Sequence, residues 1–587
     1  MNRFFISIRW VLAAGLLLLG RPAQAQNTQL VIDQATVLPA IATPGNGIVW
    51  DLYEVADAQG NTYQAVSFSG TVQFGPFSLT SPGGTGAGDE EVAVAKRNAA
   101  GVYLWAVAGG GTGSQRAKAL AVDAAGNVYV TGLFTSATAS FGTSTLTNRR
   151  PANRSTSDLF VLKAGPGGWQ WAVSAGGGDY ISGEDYGTAV AVDALGGVYV
   201  AGIMTSTVAF FGTIQVPSPD PYGGPIVFVA KLTSTGAWQW ARTSTSNGTA
   251  PTHLVAEPGG NTYLSGDSGG YLSYGPFLLL NPGGRQVQFI AKLDPAGNWL
   301  WLTKSAGSRR NSGASIHEGF LWDGRDRAYL TGYFNCDSLS FGSAHLVNAA
   351  PRLPLRSAEG FVAKLNTLTG QWLWAVQTQG NDNELLTSAL LDGAGHLHVG
   401  GQFQGSSSFG RTGLVSAGGY DLVGAQLDTA TGAWQWARRA GGPADENAGP
   451  RFVDAQGRVV LAGTFAGPTL PLGSTTLGAA PTAFAYGGTR YTRSAFAAVL
   501  GANGPLATAP ARPGRAWSVY PNPARAAITL AGLPAGQAVQ VLDALGRLVL
   551  RGTVPPQGEL LLPLPAALPT GVYLVRAQAH TQRLGVE

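Results

Sequence analysis

Asp123-Ala-Ala-Gly126-Asn-Val-Tyr129-Val-Thr-Gly132 packs an acid, a turn and an aromatic strand into ten residues. The phrase returns at Asp193 to Gly202, Glu257 to Gly266, Asp323 to Gly332, Asp392 to Gly401 and Asp454 to Gly463. A weaker first copy reads Asp57-Ala-Gln-Gly60-Asn-Thr-Tyr63, and successive starts lie 66, 70, 64, 66, 69 and 62 residues apart. So regular a period marks a repeat architecture, one supersecondary unit stacked many times. Each copy carries hairpin chemistry. The acid accepts bonds from the N–H groups of the turn, and Gly takes the left-handed position that other residues avoid. The flanking strands are short and rich in Val, Tyr and Leu.

Two further signals recur in phase. An aromatic residue before Gly follows the hairpins, at Phe74, Phe141, Phe211, Tyr274, Phe341 and Phe409. A strand such as Phe228 to Leu232, Phe289 to Leu293 or Phe361 to Leu365 comes next, and then an aromatic pair. The pairs are Tyr103/Trp105, Trp169/Trp171, Trp238/Trp240, Trp299/Trp301, Trp372/Trp374 and Trp434/Trp436. Residues two apart on a strand share a face. Exposed, such pairs could serve as sugar platforms. A residue that recurs once per unit is better explained by packing between units, where aromatics dominate β cores.

Four strands in each of seven units predict an all-β chain, a seven-bladed β-propeller over residues 26–500, with an open solenoid as the alternative. The segment Leu30 to Val37 is expected to supply the first blade's missing Trp-type strand. The repeat resembles bacterial propeller repeats of the form Asp-x-x-Gly-Asn-x-Tyr-x-x-Gly. That resemblance spans about four fifths of the chain, and members of the group mostly lack an assigned activity.

Residues 1–25 read as a signal peptide. Arg3 and Arg9 precede an apolar run from Val11 to Leu19, and Ala23-Gln24-Ala25 offers a cleavage site before Gln26. The run is too short for a permanent span, and no other run approaches transmembrane length. No cysteine follows the site, so no lipid anchor is expected. The 37 basic and 33 acidic residues become 34 and 33 once Arg3, Arg9 and Arg21 leave. That balance argues against nucleic acid, since only Arg149, Arg150 and Arg154 cluster. Cys336 is the single cysteine, so no intramolecular disulfide forms.

The repeat phase breaks after Leu500. Residues 501–516 read as a Gly/Ala/Pro linker, and 517–587 as a small C-terminal β-sandwich. Its motifs are Pro521-Asn522-Pro523, the turn from Asp543 to Gly546-Arg547, and the strand Gly571-Val-Tyr573-Leu-Val. In that order they resemble the type A sorting domain of the type IX secretion system of Bacteroidetes. Many relatives end on a basic residue, whereas this chain ends on Glu587. The resemblance implies the type IX secretion machinery as partner. It also implies passage through the periplasm, a secreted or outer-surface location, removal of the domain, and release or attachment to lipopolysaccharide.

Several phrases suggest chemistry. Gly266-Asp267-Ser268-Gly269-Gly270 resembles the nucleophile motif of trypsin-like proteases, but only His253 precedes it and Gly266 is the repeat's own glycine. His396-Leu-His398 puts two imidazoles on one strand face, a spacing that can chelate a metal; no third ligand is evident, and His398 holds the Tyr slot. Cys336 stands where Ser136 does. Leu365 to Trp372 and Leu427 to Trp434 resemble the blade-docking phrase of quinone-dependent dehydrogenase propellers, a structural element there. No cofactor is expected. The loops after the aromatic pairs vary most between copies and carry Asp179, Glu184, Asp185, Asp382, Glu384, Asp445 and Glu446. They are the candidate ligand rim, for a surface glycan, a protein or a cation. The reading is a non-enzymatic binding, adhesion or scaffold protein; the competing one is a polysaccharide lyase or hydrolase.

Overall fold

The computed structural model describes residues 32–500 and 518–586 less short loop segments, the longest being 82–88, 150–155, 179–183, 282–286, 308–314, 349–356 and 454–457. The expected cleavage site at Ala25 and Gln26 and the expected linker 501–516 lie outside the described residues. Among described residues every regular element is a β-strand, and no helix is long and apolar enough to cross a membrane. Contacts divide the chain into two compact bodies, Met1–Ala502 and Asn503–Glu587.

The second repeat sets the pattern. Gln115–Val122, Val128–Phe134, Asp158–Gly165 and Gly168–Gly176 pair in that order as an antiparallel meander. A small hairpin, Thr138–Phe141 with Ser144–Thr147, stands between the second and third strands. The same meander begins at Ile48 in the first repeat and at Tyr186, Thr249, Ser315 and Glu384 in the third to sixth. Second and third strands are buried on both faces, so they read as apolar runs rather than alternations. Adjacent sheets share cores: Leu159 and Val161 of the second repeat pack with Val198, Val200 and Phe228 of the third.

The last repeat departs from this pattern. Glu446–Val453, Val459–Phe465 and Thr489–Leu500 supply three strands. The fourth is the N-terminal strand Ile32–Val37, antiparallel to Thr489–Leu500, with Ile32 opposite Leu500 and Val37 opposite Phe496. The expectation that this segment completes the first repeat is therefore corrected. The first repeat has its own fourth strand, Tyr103–Gly109. Among the described residues the seventh has no aromatic-pair strand of its own, which leaves an edge for the N-terminus to cover.

The aromatic pairs are packing devices, and those of the second to fifth repeats are each used twice. The first member meets the Phe-Gly hairpin of its own repeat edge-on: Phe141–Trp169 and Phe211–Trp238 have centroids 5.1 Å apart, and Phe409–Trp434 5.3 Å. Its indole N–H reaches the preceding repeat, from Trp169 to the Ala108 carbonyl at 2.9 Å and from Trp434 to that of Gln377 at 3.3 Å. The second member reaches the following repeat: Trp171 Nε1 donates to Ser234 O, Trp240 to Pro295 O, Trp301 to Thr367 O and Trp374 to Thr429 O. Gly432 lies on the Trp374 ring at φ +74°, where a Cβ would come within 2.9 Å of the indole. The dehydrogenase-like phrase is thus a docking turn in this chain as well.

The C-terminal body is two small sheets. Ser518–Tyr520, Ala527–Ala531 and Glu559–Pro563 form one; Leu548–Thr553, Ala538–Leu542, Gly571–Ala577 and His580–Val586 form the other. Ile528, Leu530, Val539, Val541, Tyr573 and Val575 fill the core between them.

Candidate functional site

The repeat acid is engaged by its own hairpin. Asp123 Oδ1 accepts from the Ala125 and Asn127 amides, and Oδ2 accepts from Asn127 Nδ2 at 2.8 Å and the Tyr129 hydroxyl at 3.0 Å. Asp57 holds Asn61 and Tyr63 in the same way. A lysine one strand over lies on the tyrosine ring, Lys163 on Tyr129 at 5.0 Å and Lys231 on Tyr199 at 4.9 Å. Burial raises the Asp123 pKa, but the bonds from Asn127, Tyr129 and Ala125 outweigh it and leave the group below its ordinary value.

The sixth repeat fills the same frame with different residues. His396 Nδ1 and His398 Nε2 each lie 2.9 Å from Asp392 Oδ2, in the places of the Asn and Tyr donors. The third group at this point, which spacing alone did not reveal, is the hairpin acid. Bonds from both imidazoles and from the His396 amide overcome the effect of burial and hold Asp392 down to about 2. Burial lowers the His398 pKa despite its carboxylate partner. Asp392, His396 and His398 are, among the described residues, the one cluster with metal-ligating composition.

The expected rim divides into buried and surface groups. Asp179 lies outside the described residues. Glu184 and Asp445 are exposed and Asp382 is half-buried. Asp445 Oδ1 accepts the Tyr420 amide at 3.0 Å. Asp185, Glu384 and Glu446 are buried, which corrects their assignment to a ligand-facing rim. Glu384 and Glu446 open the first strand of a repeat and Asp185 immediately precedes one, and each meets a buried acid that opens the third strand of the repeat before: Asp185 with Asp158, Glu384 with Glu359, and Glu446 with Asp421. Glycine backbone closes over these pairs. Gly177 N donates to Asp185 at 2.9 Å, Gly442 N to Glu446 at 3.1 Å and Gly380 N to Glu359 at 3.5 Å.

Burial, joined by the like charge, pushes Glu384 up to about 9. Burial likewise lifts Asp158, Glu359 and Glu446 to about 7. Glu359 Oε2 and Glu384 Oε1 are buried without a hydrogen-bond partner. Between the first and second repeats the pair is Glu91 with neutral Gln115, whose Oε1 accepts the Gly111 amide at 2.7 Å. The acids were visible in sequence; their burial was not, because each lies one residue from an exposed loop.

The protease-like phrase lies in the strand Thr262–Ser268, with Ser268 buried. His253 stands opposite Ser265, three residues along, and its Nδ1 meets the Thr252 hydroxyl. Cys336 is buried like Ser136.

In the C-terminal body Asp543 and Arg547 meet. The Arg547 amide donates to Asp543 Oδ1 at 2.9 Å and its Nε to Oδ2 at 2.6 Å. The Tyr573 hydroxyl donates to the Pro569 carbonyl at 2.8 Å, and Gly571 opens its strand exposed. Pro523 precedes Ala524, whose amide donates to Gly585 O at 2.8 Å and ties the opening motif to the last strand. Pro521, Asn522 and Gly546 lie outside the described residues.

No curated protein matches the chain in sequence. Among solved structures, a Dyadobacter fermentans protein of unknown function is 9% identical, covering 80% of this chain and 100% of its own, at TM-score 0.34. PorZ, a surface component of the type-IX secretion system of Porphyromonas gingivalis, is 14% identical over 92% of this chain and 74% of its own, at 0.28. Quinohemoprotein alcohol dehydrogenase from Comamonas testosteroni is 11% identical over 81% and 77%, at 0.35. Scores this low leave fold and function to be argued from the chain itself. Residues 518–585 match the secretion system C-terminal sorting domain family. That domain marks the protein for export by the type IX secretion machinery, to the cell surface or the medium.

Proposed function

We propose that the chain is an exported seven-bladed propeller, delivered through a signal peptide and the sorting domain, that binds a surface glycan or protein without transforming it. The observation that carries this reading is that the recurrent chemistry faces inward. Trp pairs, hairpin acids and inter-repeat carboxylates all bond within the array. What differs between copies and still reaches solvent is the loop set before each first strand, with Glu184, Asp382 and Asp445. The seven meanders, the last completed by the N-terminal strand, support radial closure.

The test pairs binding arrays of glycans and surface proteins with a screen for polysaccharide cleavage, on the full chain and on a Glu184→Ala/Asp382→Ala/Asp445→Ala variant. Saturable binding without turnover, lost in the variant, supports the proposal. Turnover abolished by the same changes replaces it with a polysaccharide-degrading enzyme.

A further inference from the structure

The sixth repeat differs from its neighbours at three positions that meet at one point. The second repeat has Asn127 and Tyr129 donating to Asp123 Oδ2, with Lys163 opposite Tyr129 on the neighbouring strand. The sixth has His396, His398 and, opposite His398, Gln426. The first, third, fourth and fifth repeats all keep a lysine there, Lys96, Lys231, Lys292 and Lys364, opposite Tyr63, Tyr199, Tyr263 and Tyr329. Two neutral donors have become imidazoles, and the cation has become an amide. Gln426 is turned to its own Trp436, whose indole N–H it accepts at 2.5 Å. Arg438 stacks on the Trp436 ring, 5.7 Å from its centroid.

We propose that Asp392, His396 and His398 bind a divalent transition-metal ion of the zinc class. Two imidazole nitrogens and one carboxylate oxygen are a zinc-type donor set, softer than calcium or magnesium select. The three atoms lie within 4.8 Å of one another. Four-coordinate zinc, with ligand bonds of about 2.0–2.2 Å, needs donors roughly 3.3 Å apart. The contraction falls to His396, whose side chain is 54% exposed, whereas that of His398 is 10% exposed and fixed by its strand. The ligating nitrogens now hold N–H bonds to Asp392. On binding, each proton moves to the other ring nitrogen, which for His398 is the buried Nδ1 without a hydrogen-bond partner, and the ion takes the place of two hydrogens on one oxygen. Exposure of His396 leaves the fourth position to water.

In the second to fifth repeats the lysine also donates to a turn carbonyl of the next repeat, Lys163 to Ser234, Lys231 to Pro295, Lys292 to Thr367 and Lys364 to Thr429. The seventh repeat takes its fourth strand from the N-terminus, so position 426 is released from that docking role and is open to an uncharged residue. An ammonium group at position 426 would repel a divalent ion. In the first five repeats that ammonium group lies over a tyrosine ring instead. The site lies at the far end of its strand from the loop carboxylates, since Glu384 and Asp392 bracket Glu384–Leu391. It is therefore independent of the binding reading above.

The test uses the full chain without a polyhistidine tag, titrated calorimetrically with zinc chloride and followed by visible absorption with cobalt(II). One equivalent is expected to bind, with a four-coordinate cobalt spectrum. His396→Asn changes an exposed residue and is expected to weaken binding at least about 10-fold. His396→Asn/His398→Tyr restores the residues of the second repeat and is expected to abolish the saturable equivalent. Gln426→Lys is expected to weaken it while both histidines remain. Absence of a saturable equivalent in the parent chain overturns the proposal, as does equal binding by the double variant.

Discussion

Replacing Glu384 by Gln is expected to stabilise the protein in a way that grows with pH. Glu384 is buried against Glu359, each carrying an oxygen without a hydrogen-bond partner. Burial and the like charge raise Glu384 from an ordinary 4.5 to about 9. The folded state therefore holds a proton that the unfolded chain releases above pH 4.5. Stability from this group is complete below that pH and is lost as pH rises toward 9. Each pH unit in the window is worth about 1.4 kcal/mol, so the span from pH 5 to pH 8 amounts to at most about 4 kcal/mol. Because Glu359 titrates with it, the loss belongs to the pair. Gln keeps the shape and carries no charge at any pH, as Gln115 already does beside Glu91, where its Nε2 donates to Gly113 O and Ser136 Oγ. Urea-unfolding free energies of parent and variant, measured from pH 5 to pH 8, should diverge steadily with the variant ahead at pH 8. A constant difference across that range would refute a proton held between these two carboxylates.

Trp240→Ala should destabilise the repeat body by about 3–5 kcal/mol. It removes a buried ring and the indole bond to Pro295 of the next repeat, and thermal unfolding checks it. Deleting residues 32–37 bares the edge of Thr489–Leu500. Aggregation is the expected outcome, read by size-exclusion chromatography and light scattering. Removing residues 517–587 takes away the sorting domain. Cell fractionation should then find the repeat body in the periplasm, and secretion at the parent level would count against the sorting role.

Much of this architecture is legible in the sequence because a repeat averages out noise. One hairpin phrase is weak, but seven in phase with aromatic pairs specify strands, turns and their order. The partner of the N-terminal strand was misread for a physical reason. Ile32–Val37 is an edge strand, and its place is decided by which repeat lacks a fourth strand. Periodicity within the segment does not contain that fact. Burial of Asp185, Glu384 and Glu446 was missed because charge and a loop position suggest solvent. The acids that meet them, Asp158, Glu359 and Asp421, lie 25 to 27 residues earlier.

The same averaging shows where function can be sought. A residue that recurs in every unit is accounted for by what every unit needs: a closed turn, a filled core, a neighbour to dock on. Asp123, Tyr129, Lys163 and Trp171 meet that need in the second repeat, and their counterparts meet it elsewhere. Chemistry that answers to something outside the fold must break the pattern. A break at one position is ordinary drift, since a hydrogen bond worth about 1 kcal/mol tolerates replacement. The seventh repeat breaks at the same three positions with Arg458, Val460 and Val499, but only in the sixth do the replacements bring two imidazoles onto one carboxylate. His396 and His398 each reproduce a donor that was already adequate. Gln426 gives up a cation stacked on an aromatic ring, a contact worth about 0.5–1 kcal/mol. None of the three changes improves the hairpin, and together they remove positive charge and add two nitrogen ligands. A divalent ion accounts for the two imidazoles, and the uncharged Gln426 leaves room for it.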